Sequence, residues 1–260
     1  MTVDYIEHGS GPALLFLPGS YSTHSAWTGI RNALQGRYRT IATSLPGYGG
    51  STERRRADNP QIQDMIDFVE QLVDRIGEPV HLVGHSFGGQ IALAAALAQA
   101  APLASLISFE GNPIYACPDT GAFAWATETA EMCAKFTASV ADGNPDAAAI
   151  IIDYWSTPGT FAALADPIQD FCRNHATTNL LDWRTAQSFT PDFADFTALS
   201  LPCAIIRGAR ANQAIVDISD LLCRYIPDST GHVVDGADHF LISTHPGECA
   251  ALIDAHMARI

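Results

Sequence analysis

An apolar run, a serine set among glycines and a long helical pattern follow one another between residues 79 and 101. Residues 79–83 favour a buried strand, and residues 90–101 are rich in good helix formers. Between them lies Gly84-His85-Ser86-Phe87-Gly88-Gly89. In so sharp a turn, side chains at positions 84 and 88 would collide, and the Ser86 hydroxyl is exposed on a strained backbone. The segment therefore predicts an α/β fold with a nucleophilic serine between a strand and a helix.

Short apolar runs alternate with helical patterns over the first 110 residues, which is typical of parallel strands joined by crossover helices. The predicted strands are residues 13–17, 38–44, 79–83, 103–109, 202–208 and 230–234. The predicted helices include residues 61–76, 90–101 and 246–259. The predicted fold class is therefore α/β.

The alternation stops between residues 111 and 197. This stretch has helical patterns broken at proline-containing turns, frequent aromatic residues and no convincing strand. We expect it to be a helical insertion into a single core. The predicted core domain then comprises residues 1–110 and 198–260.

The charge of the chain limits its partners. It carries 28 acidic and 14 basic residues, which gives a formal net charge of −14. Because phosphates would be repelled, nucleic acid is not an expected partner. The chain does not open with a basic segment and an apolar core, and its longest strongly apolar stretch, residues 91–101, is too short to span a bilayer. We expect a cytoplasmic protein without membrane association.

Six cysteines are scattered along the chain, at positions 117, 133, 172, 203, 223 and 249. None forms a Cys-x-x-Cys pair, so a zinc site is not expected. Most lie in apolar stretches, which predicts reduced, buried thiols. Neither a metal nor a cofactor is predicted for this chain.

A serine hydroxyl needs a base within hydrogen-bond reach before it attacks a carbonyl group. Among nine histidines, His239 has the most suggestive position, because it follows the last predicted strand. Sites in α/β folds gather at the carboxyl ends of parallel strands. The side chain of His85, adjacent to Ser86, should point away from the hydroxyl and pack or line a pocket. We predict Ser86 as the nucleophile and His239 as the base.

The intermediate of acyl transfer carries an oxyanion, which backbone N–H donors stabilise. Phe87 follows the nucleophile near the start of a helix, whose positive end faces the site. The second donor should come from the turn Pro18-Gly19-Ser20-Tyr21 after the first buried run. Since Pro18 has no N–H and Gly19 serves the turn, the N–H of Ser20 is the predicted partner of the Phe87 N–H.

Four motifs together resemble the α/β-hydrolase superfamily and occur in its order over nearly the whole chain. They are Leu17-Pro18-Gly19-Ser20, Leu45-Pro46-Gly47-Tyr48-Gly49-Gly50-Ser51, Gly84-His85-Ser86-Phe87-Gly88-Gly89 and Gly236-Ala237-Asp238-His239-Phe240. The resemblance implies an eight-stranded, mostly parallel sheet with flanking helices and a helical cap inserted after the sixth strand. Residues 111–197 match that cap. The family's oxyanion turn often begins His-Gly rather than Pro-Gly, but the chemistry there uses the backbone.

The acid that would orient His239 is absent from its usual place. Most members of the family have an Asp after the seventh strand, at a position that here resembles Ala211 or Asn212, and residues 209–213 contain no carboxylate. Some members place the acid after the sixth strand, and Glu110 occupies that position. Either loop flanks the histidine, so either can orient it and stabilise its protonated form. We predict Glu110 as the acid and keep Asp217 in reserve.

These residues predict a metal-independent serine hydrolase with an acyl-enzyme on Ser86. Because residues 111–197 are rich in aromatic side chains, we expect a small, neutral, hydrophobic ester, thioester or lactone as substrate. Carbon–carbon bond hydrolysis, cofactor-free haloperoxidation, lyase or acyltransferase chemistry and a non-catalytic receptor stay open on the same scaffold. Haloalkane dehalogenation needs an aspartate nucleophile and is excluded. The expected partner is a small-molecule substrate, and the expected assembly is a monomer or homodimer.

Overall fold

The apolar runs of the sequence form a seven-stranded sheet in the computed structural model, which describes residues 2–116 and 123–260. The strands are, in chain order, β1 (Tyr5–His8), β2 (Ala13–Leu17), β3 (Arg39–Thr43), β4 (Val80–His85), β5 (Leu103–Phe109), β6 (Cys203–Gly208) and β7 (Ser229–Val234). Their order across the sheet is β1-β3-β2-β4-β5-β6-β7. Only β1 runs antiparallel to its neighbour. The predicted α/β class and mostly parallel sheet are confirmed.

The number of strands differs from the expectation. The family resemblance implied eight, whereas the sheet has seven among the described residues. A single strand, the four-residue β1, precedes β2 and occupies the edge of the sheet beside β3. This strand was not predicted, because four residues are too few for a period of two to stand out.

Helices cover both faces of the sheet. The α-helices of the described residues are α1 (Thr28–Ala33), α2 (Ile62–Ile76), α3 (Phe87–Leu97), α4 (Ala124–Ala141), α5 (Ala148–Trp155), α6 (Thr160–Ala163), α7 (Asp166–Asn174), α8 (Ala176–Gln187), α9 (Gln213–Tyr225), α10 (Leu241–Thr244) and α11 (Pro246–Arg259). Two 3-10 helices span His24–Trp27 and Phe193–Ala198. Because both faces of the sheet are covered, the interior strands bury apolar side chains on both of their faces.

The two-residue period of a strand is visible in β2. Leu15 and Leu17 face a core shared with α2, α3 and α9, whereas Leu14 and Phe16 face a second core shared with α1 and α11. All of these strand residues are fully buried. This packing fixes the register of β2 and therefore the position of the turn that follows it.

Helix α3 departs most from its predicted bounds. Residues 90–101 were expected, and the helix spans Phe87–Leu97. It begins directly after Ser86, which serves as the N-cap residue. It stops before Gln99, because a φ of +51° there is a left-handed conformation that cannot continue an α-helix. The early start brings the positive end of the helix to the serine.

The described secondary structure between β5 and β6 is entirely helical and consists of α4 to α8 and the 3-10 helix Phe193–Ala198. We call residues 123–197 the helical segment. Its division from the core as a cap domain of residues 111–197 stays a prediction. Residues 117–122 of that range lie outside the described residues.

The described cysteines are free thiols, of which Cys133, Cys172, Cys203 and Cys249 are buried and Cys223 is half-buried. Cys117 lies outside the described residues. Within residues 2–116 and 123–260, no helix is both long and apolar enough to cross a membrane. The same residues contain no group of three or more His, Cys, Asp or Glu side chains placed to hold a metal ion.

Candidate active site

The predicted site residues lie in loops at the carboxyl ends of four strands. Ser20 follows β2, Ser86 follows β4, Glu110 follows β5 and His239 follows β7. Because β2, β4 and β5 are parallel neighbours, their loops emerge at one edge of the sheet. The loop after β7 passes the end of β6 to reach them.

The turn that carries Ser86 has a strained backbone and packs tightly against neighbouring backbone atoms. Ser86 has φ 54° and ψ −121°, which a non-glycine residue rarely adopts. A Cβ atom at Gly84 would lie 2.4 Å from the carbonyl oxygen of Gly88, and one at Gly88 would lie 2.3 Å from that of Pro18. The first collision is the predicted one. The second arises against the turn after β2, so Gly88 permits that turn to approach the nucleophile.

The structure brings Ser86, His239 and Glu110 together. Nε2 of His239 lies 3.0 Å from Oγ of Ser86, and Nδ1 lies 2.6 Å from Oε2 of Glu110. All three residues are buried, with Glu110 only 1% exposed. A carboxylate only accepts hydrogen bonds, so Nδ1 carries the proton and Nε2 is able to accept one from the serine hydroxyl. The geometry suits a nucleophile, a base and an orienting acid, the roles predicted for them.

Both carboxylate oxygens of Glu110 are engaged. Oε2 accepts from His239, and Oε1 accepts from the N–H of Gly208 at 2.7 Å. The N–H of Glu110 donates to the carbonyl oxygen of Ile206 at 2.8 Å. Its φ of +48° is a further strained conformation. Glu110 is therefore fixed against the end of β6 and is not a solvated loop carboxylate.

The two other positions considered for the acid face elsewhere. Nδ2 of Asn212 donates to the carbonyl oxygen of Tyr154 at 3.0 Å, so this position joins α9 to α5. The reserve residue, Asp217, accepts from Nε1 of Trp125 at 3.0 Å. The structure thus does not bring Asp217 to His239, because α9 holds its side chain against α4.

Two further contacts hold the His239 ring and its loop. Nε2 of His85 lies 2.9 Å from the carbonyl oxygen of His239. Burial, and secondarily the nearby His239, lower the pKa of His85 to about 3, so its ring is neutral and donates this hydrogen bond. The Trp155 ring stacks on the His239 ring with centroids 5.5 Å apart. The His85 contact was signalled only by adjacency to Ser86, and no sequence signal places Trp155.

The predicted oxyanion donors lie beside the nucleophile. A Cβ atom at Gly19 would lie 3.1 Å from Cβ of Ser86, so the turn after β2 abuts the serine. Phe87 is the first residue of α3, where N–H groups lack intrahelical acceptors. Within the described residues, the N–H groups of Ser20 and Phe87 donate to no backbone carbonyl outside their own elements. Both residues line the cavity that contains Ser86 and His239.

The cavity above Ser86 has a volume of about 910 Å³. The helical segment supplies much of its apolar wall, including Ile151, Trp155, Phe171 and Trp183. The Asp and Arg side chains of the lining are those of Asp182, Asp238 and Arg210, and its described residues include no Glu or Lys. Arg210 is exposed. A cavity of this size and character suits a small, largely apolar ligand.

Asp182 is the centre of a buried polar network that the sequence did not reveal. Its Oδ2 accepts from the hydroxyls of Ser20 and Tyr48, each at 2.6 Å, and its Oδ1 accepts from Nη1 of Arg55 at 2.5 Å. The Arg55 side chain is completely buried and also bonds Glu53. Burial raises the pKa of Asp182, and Arg55 and the two hydroxyls act in the opposite direction. Three donors around one carboxylate favour its ionised form.

Residues 14–252 match the model of a family described as the alpha/beta hydrolase family. The chain belongs to the alpha/beta hydrolase family. The matched range includes Ser20, Ser86, Glu110 and His239.

Similar proteins include named esterases. A pimeloyl-[acyl-carrier protein] methyl ester esterase of Aeromonas hydrophila subsp. hydrophila is 26% identical over 98% of both chains. A fluoroacetate dehalogenase of Burkholderia sp is 32% identical, over 44% of this chain and 39% of its own. Esterase-named relatives over the full length support a hydrolase of the esterase type.

Solved structures share the fold at low identity. MenH from S. aureus has a TM-score of 0.79 and 16% identity, with 99% of this chain and 98% of that chain covered. A thermophilic esterase from Thermogutta terrifontis has a TM-score of 0.77 and 21% identity, with coverages of 99% and 93%. At these identities the likeness establishes the alpha/beta hydrolase fold alone.

Proposed function

We propose that the protein is a serine esterase that hydrolyses a small, uncharged, largely apolar carboxylic ester through an acyl-enzyme on Ser86. The observation that carries this proposal is the His239 ring, 3.0 Å from Oγ of Ser86 and 2.6 Å from Oε2 of Glu110, in the lining of the cavity. Thioesters and lactones present the same reacting carbonyl group. Since serine and histidine supply nucleophile and base, the reaction requires no metal.

In the first half of the reaction, Oγ of Ser86 attacks the carbonyl carbon while Nε2 of His239 takes its proton. The N–H groups of Ser20 and Phe87 donate to the resulting oxyanion. Glu110 stabilises the positively charged ring and holds its orientation. When the tetrahedral intermediate collapses, Nε2 returns the proton to the leaving alcohol, and the acyl group stays on Ser86.

In the second half, a water molecule attacks the acyl carbon as Nε2 of His239 takes one of its protons. The same two N–H groups stabilise the second oxyanion. Collapse expels Oγ of Ser86, which takes the proton back from Nε2, and the carboxylic acid is released. In both halves of the reaction, the transferred proton is taken and returned by Nε2 of His239, so a single oriented histidine suffices.

The charge of the chain favours a free ester over one attached to an acidic carrier. The Aeromonas relative is named for an ester on an acyl-carrier protein. Here residues 111–197 contain eleven acidic and three basic side chains, within a chain of net charge −14. A partner with an acidic surface would be repelled. We therefore propose a small-molecule substrate that enters the cavity whole.

Other activities on this fold differ in what they need from the site. Carbon–carbon bond hydrolysis, haloperoxidation, lyase and acyltransferase chemistry would use the same Ser86 turn, and a receptor would use only the cavity. Haloalkane dehalogenation would need an aspartate in place of Ser86.

A chain-length series of p-nitrophenyl esters, tested on the wild type and on Ser86→Ala, checks the proposal. The wild type should hydrolyse short and medium acyl chains, and Ser86→Ala should lose at least about 10⁴-fold in kcat. Ser22→Ala, in the neighbouring turn, is the matched control and should stay active. An organophosphate should label Ser86, as read by mass spectrometry.

Three outcomes would contradict the esterase. Undiminished hydrolysis by Ser86→Ala would show that Ser86 is not the nucleophile. Tight ligand binding without turnover would favour a receptor. Turnover only with peroxide or with a diketone would favour one of the other enzymes.

A further inference from the structure

Two polar side chains on the cavity wall have hydrogen-bonding capacity that the described part of the protein does not use. Asn179 is 1% exposed, and its Oδ1 has no hydrogen-bond partner among the described residues. The enclosed hydroxyl of Tyr21 has none there either. Both residues line the cavity that contains Ser86. A buried polar group without a hydrogen-bond partner destabilises the protein, so a ligand that pairs with it is favoured.

These side chains belong to one wall beside the proposed oxyanion turn. Asn179 and Asp182 lie three positions apart on α8 and therefore share a face of that helix. Tyr21 directly follows Ser20, whose hydroxyl bonds Asp182. Burial, with Cys172 and then Asp182, raises the pKa of Tyr21, so its hydroxyl keeps its proton at neutral pH and is able to donate.

The Tyr21 side chain is held in place at a conformational cost. Its φ of +55° is left-handed, a conformation that is unfavourable for a non-glycine residue. The side chain packs against two apolar clusters. One is the core that β2 shares with α2, α3 and α9, and the other is a smaller cluster formed by Ala148, Ile152, Phe161 and Cys172. This packing maintains the strained conformation and fixes the hydroxyl relative to the cavity.

Among the described residues, this wall offers no cation that is free to pair with a ligand. Asp182 accepts hydrogen bonds from Ser20, Tyr48 and Arg55, and the Arg55 guanidinium is already shared between Asp182 and Glu53. A ligand carboxylate at this wall would face Asp182 without a cation to receive it. What remains for a ligand is an amide and a phenol, both uncharged.

We propose that Tyr21 and Asn179 form a subsite for an uncharged substrate group that both donates and accepts hydrogen bonds, of which an alcohol is the simplest. The ligand hydroxyl donates to Oδ1 of Asn179 and accepts from the hydroxyl of Tyr21. This subsite rests on the proposed esterase, and it makes the substrate a hydroxyl-bearing ester with an otherwise apolar chain. A methyl group in the same place would leave two polar groups unpaired, which is how such sites reject an isostere.

Pairs of esters that differ only by a hydroxyl in place of a methyl group test the subsite. On the acyl side, methyl 6-hydroxyhexanoate is compared with methyl heptanoate and with monomethyl adipate. On the alcohol side, 6-hydroxyhexyl acetate is compared with heptyl acetate, and each pair is repeated with longer and shorter chains. Hydrolysis is followed by acid release in a pH-stat. In at least one pair, the hydroxyl ester should have a kcat/KM about tenfold higher than its isostere, and the carboxylate should be the poorest substrate.

Substitutions of Tyr21 and Asn179 test whether these two residues cause the preference for the hydroxyl ester. Tyr21→Phe and Asn179→Leu should each reduce the hydroxyl preference to within about twofold while the methyl isostere is hydrolysed at a similar rate. The matched controls are Tyr5→Phe and Asn32→Leu, both exposed and away from the cavity. They should keep the full preference. Equal rates for every pair, or a preference that survives both substitutions, would overturn the subsite.

Binding separates the subsite from the proposed esterase. Calorimetric titration of Ser86→Ala with the same ester pairs measures affinity without turnover. If the wild type cleaves no ester but Ser86→Ala binds the hydroxyl ester more tightly, the esterase fails and the subsite stands. If the wild type cleaves both members of every pair equally and Ser86→Ala binds them equally, the subsite fails and the esterase stands.

Discussion

The hydroxyl of Ser20 donates a hydrogen bond of 2.6 Å to Asp182, a residue 162 positions away on α8. The bond ties the turn after β2 to the helical segment. Because Ser20 is also the proposed oxyanion donor, its backbone position depends on a carboxylate that takes no part in the chemistry. Asp182 in turn is held by Arg55 and Tyr48, so the turn is fixed by a network and not by a single contact.

Ser20→Ala keeps the backbone N–H but removes its anchor. The variant should lose about tenfold in kcat with little change in KM, because a hydrogen bond to a charged group contributes about 1.5–3 kcal/mol and acts here on the transition state. Steady-state kinetics with a p-nitrophenyl ester measure both constants. Ser22→Ala removes a neighbouring hydroxyl that does not bond Asp182 and should leave kcat unchanged. Equal losses in the two variants would contradict the anchoring role.

Asp182→Ala removes the more buried of the two carboxylates that pair with Arg55 and leaves the hydroxyls of Ser20 and Tyr48 without their acceptor. We expect it to lower the free energy of unfolding by about 3 kcal/mol, the lower end of the range for broken buried ion pairs, because Glu53 still pairs with Arg55. Urea denaturation measures the change. Asp58→Ala is the matched control, since it breaks an ion pair with Arg56 in which both side chains are more than two-thirds exposed, and it should leave the free energy of unfolding nearly unchanged. A similar cost for both variants would show that the Asp182 network contributes little to stability.

Glu110→Gln tests the acid most sharply, because both oxygens of Glu110 accept hydrogen bonds. A glutamine has one oxygen. If that oxygen stays with the N–H of Gly208, the amide NH₂ faces Nδ1 of His239 and forces the wrong tautomer. The variant should lose about 10³ to 10⁴-fold in kcat while Ser86 still reacts slowly with an organophosphate.

Asp217→Asn is the control for Glu110→Gln. Asp217 accepts a hydrogen bond from Trp125 and does not contact His239. The Asp217→Asn variant should therefore keep nearly full turnover. Full activity in Glu110→Gln, or a comparable loss in Asp217→Asn, would exclude Glu110 as the acid.

The sequence predicted those parts of the fold and site that local patterns encode. Apolar runs marked the six strands β2 to β7, with bounds within two residues of those observed. Once parallel strands are expected, their carboxyl ends form one edge, and this alone brings Ser86, Glu110 and His239 together. The position of Glu110 after β5 was readable because it ends an apolar run.

The contacts made by the helical segment were not predictable from periodicity. Arg55 and Asp182 are 127 positions apart, and neither has a motif around it. The stacking of Trp155 on His239 depends on where α5 lies over the sheet, which a helical pattern does not specify. Packing that periodicity does not show also determined the start of α3. The sharp turn at Ser86 packs against the turn after β2, and it allows the helix to begin at the next residue, Phe87.

His256 of α11 is buried, and its two ring nitrogens have no hydrogen-bond partner among the described residues. Burial lowers its pKa from 6.5 to about 4. The positive charge of Arg259 and the nearby His81 and His232 add to the lowering, and Asp228 acts in the opposite direction. The ring is therefore neutral in the folded protein at neutral pH.

Between pH 4 and 6.5 the unfolded chain binds a proton at this position that the folded protein does not. The free energy of unfolding therefore rises with pH across this window, by about 1.4 kcal/mol per unit. The contribution is complete above pH 6.5 and is lost as the pH falls towards 4. His256→Leu removes the titrating group and two unpaired nitrogens, so it should flatten the acid limb and cost little at pH 7.5. Urea denaturation of the wild type and of His256→Leu over this pH range provides the measurement. If the free energy of unfolding changed with pH in the same way for both proteins, His256 would titrate alike in the folded and unfolded states.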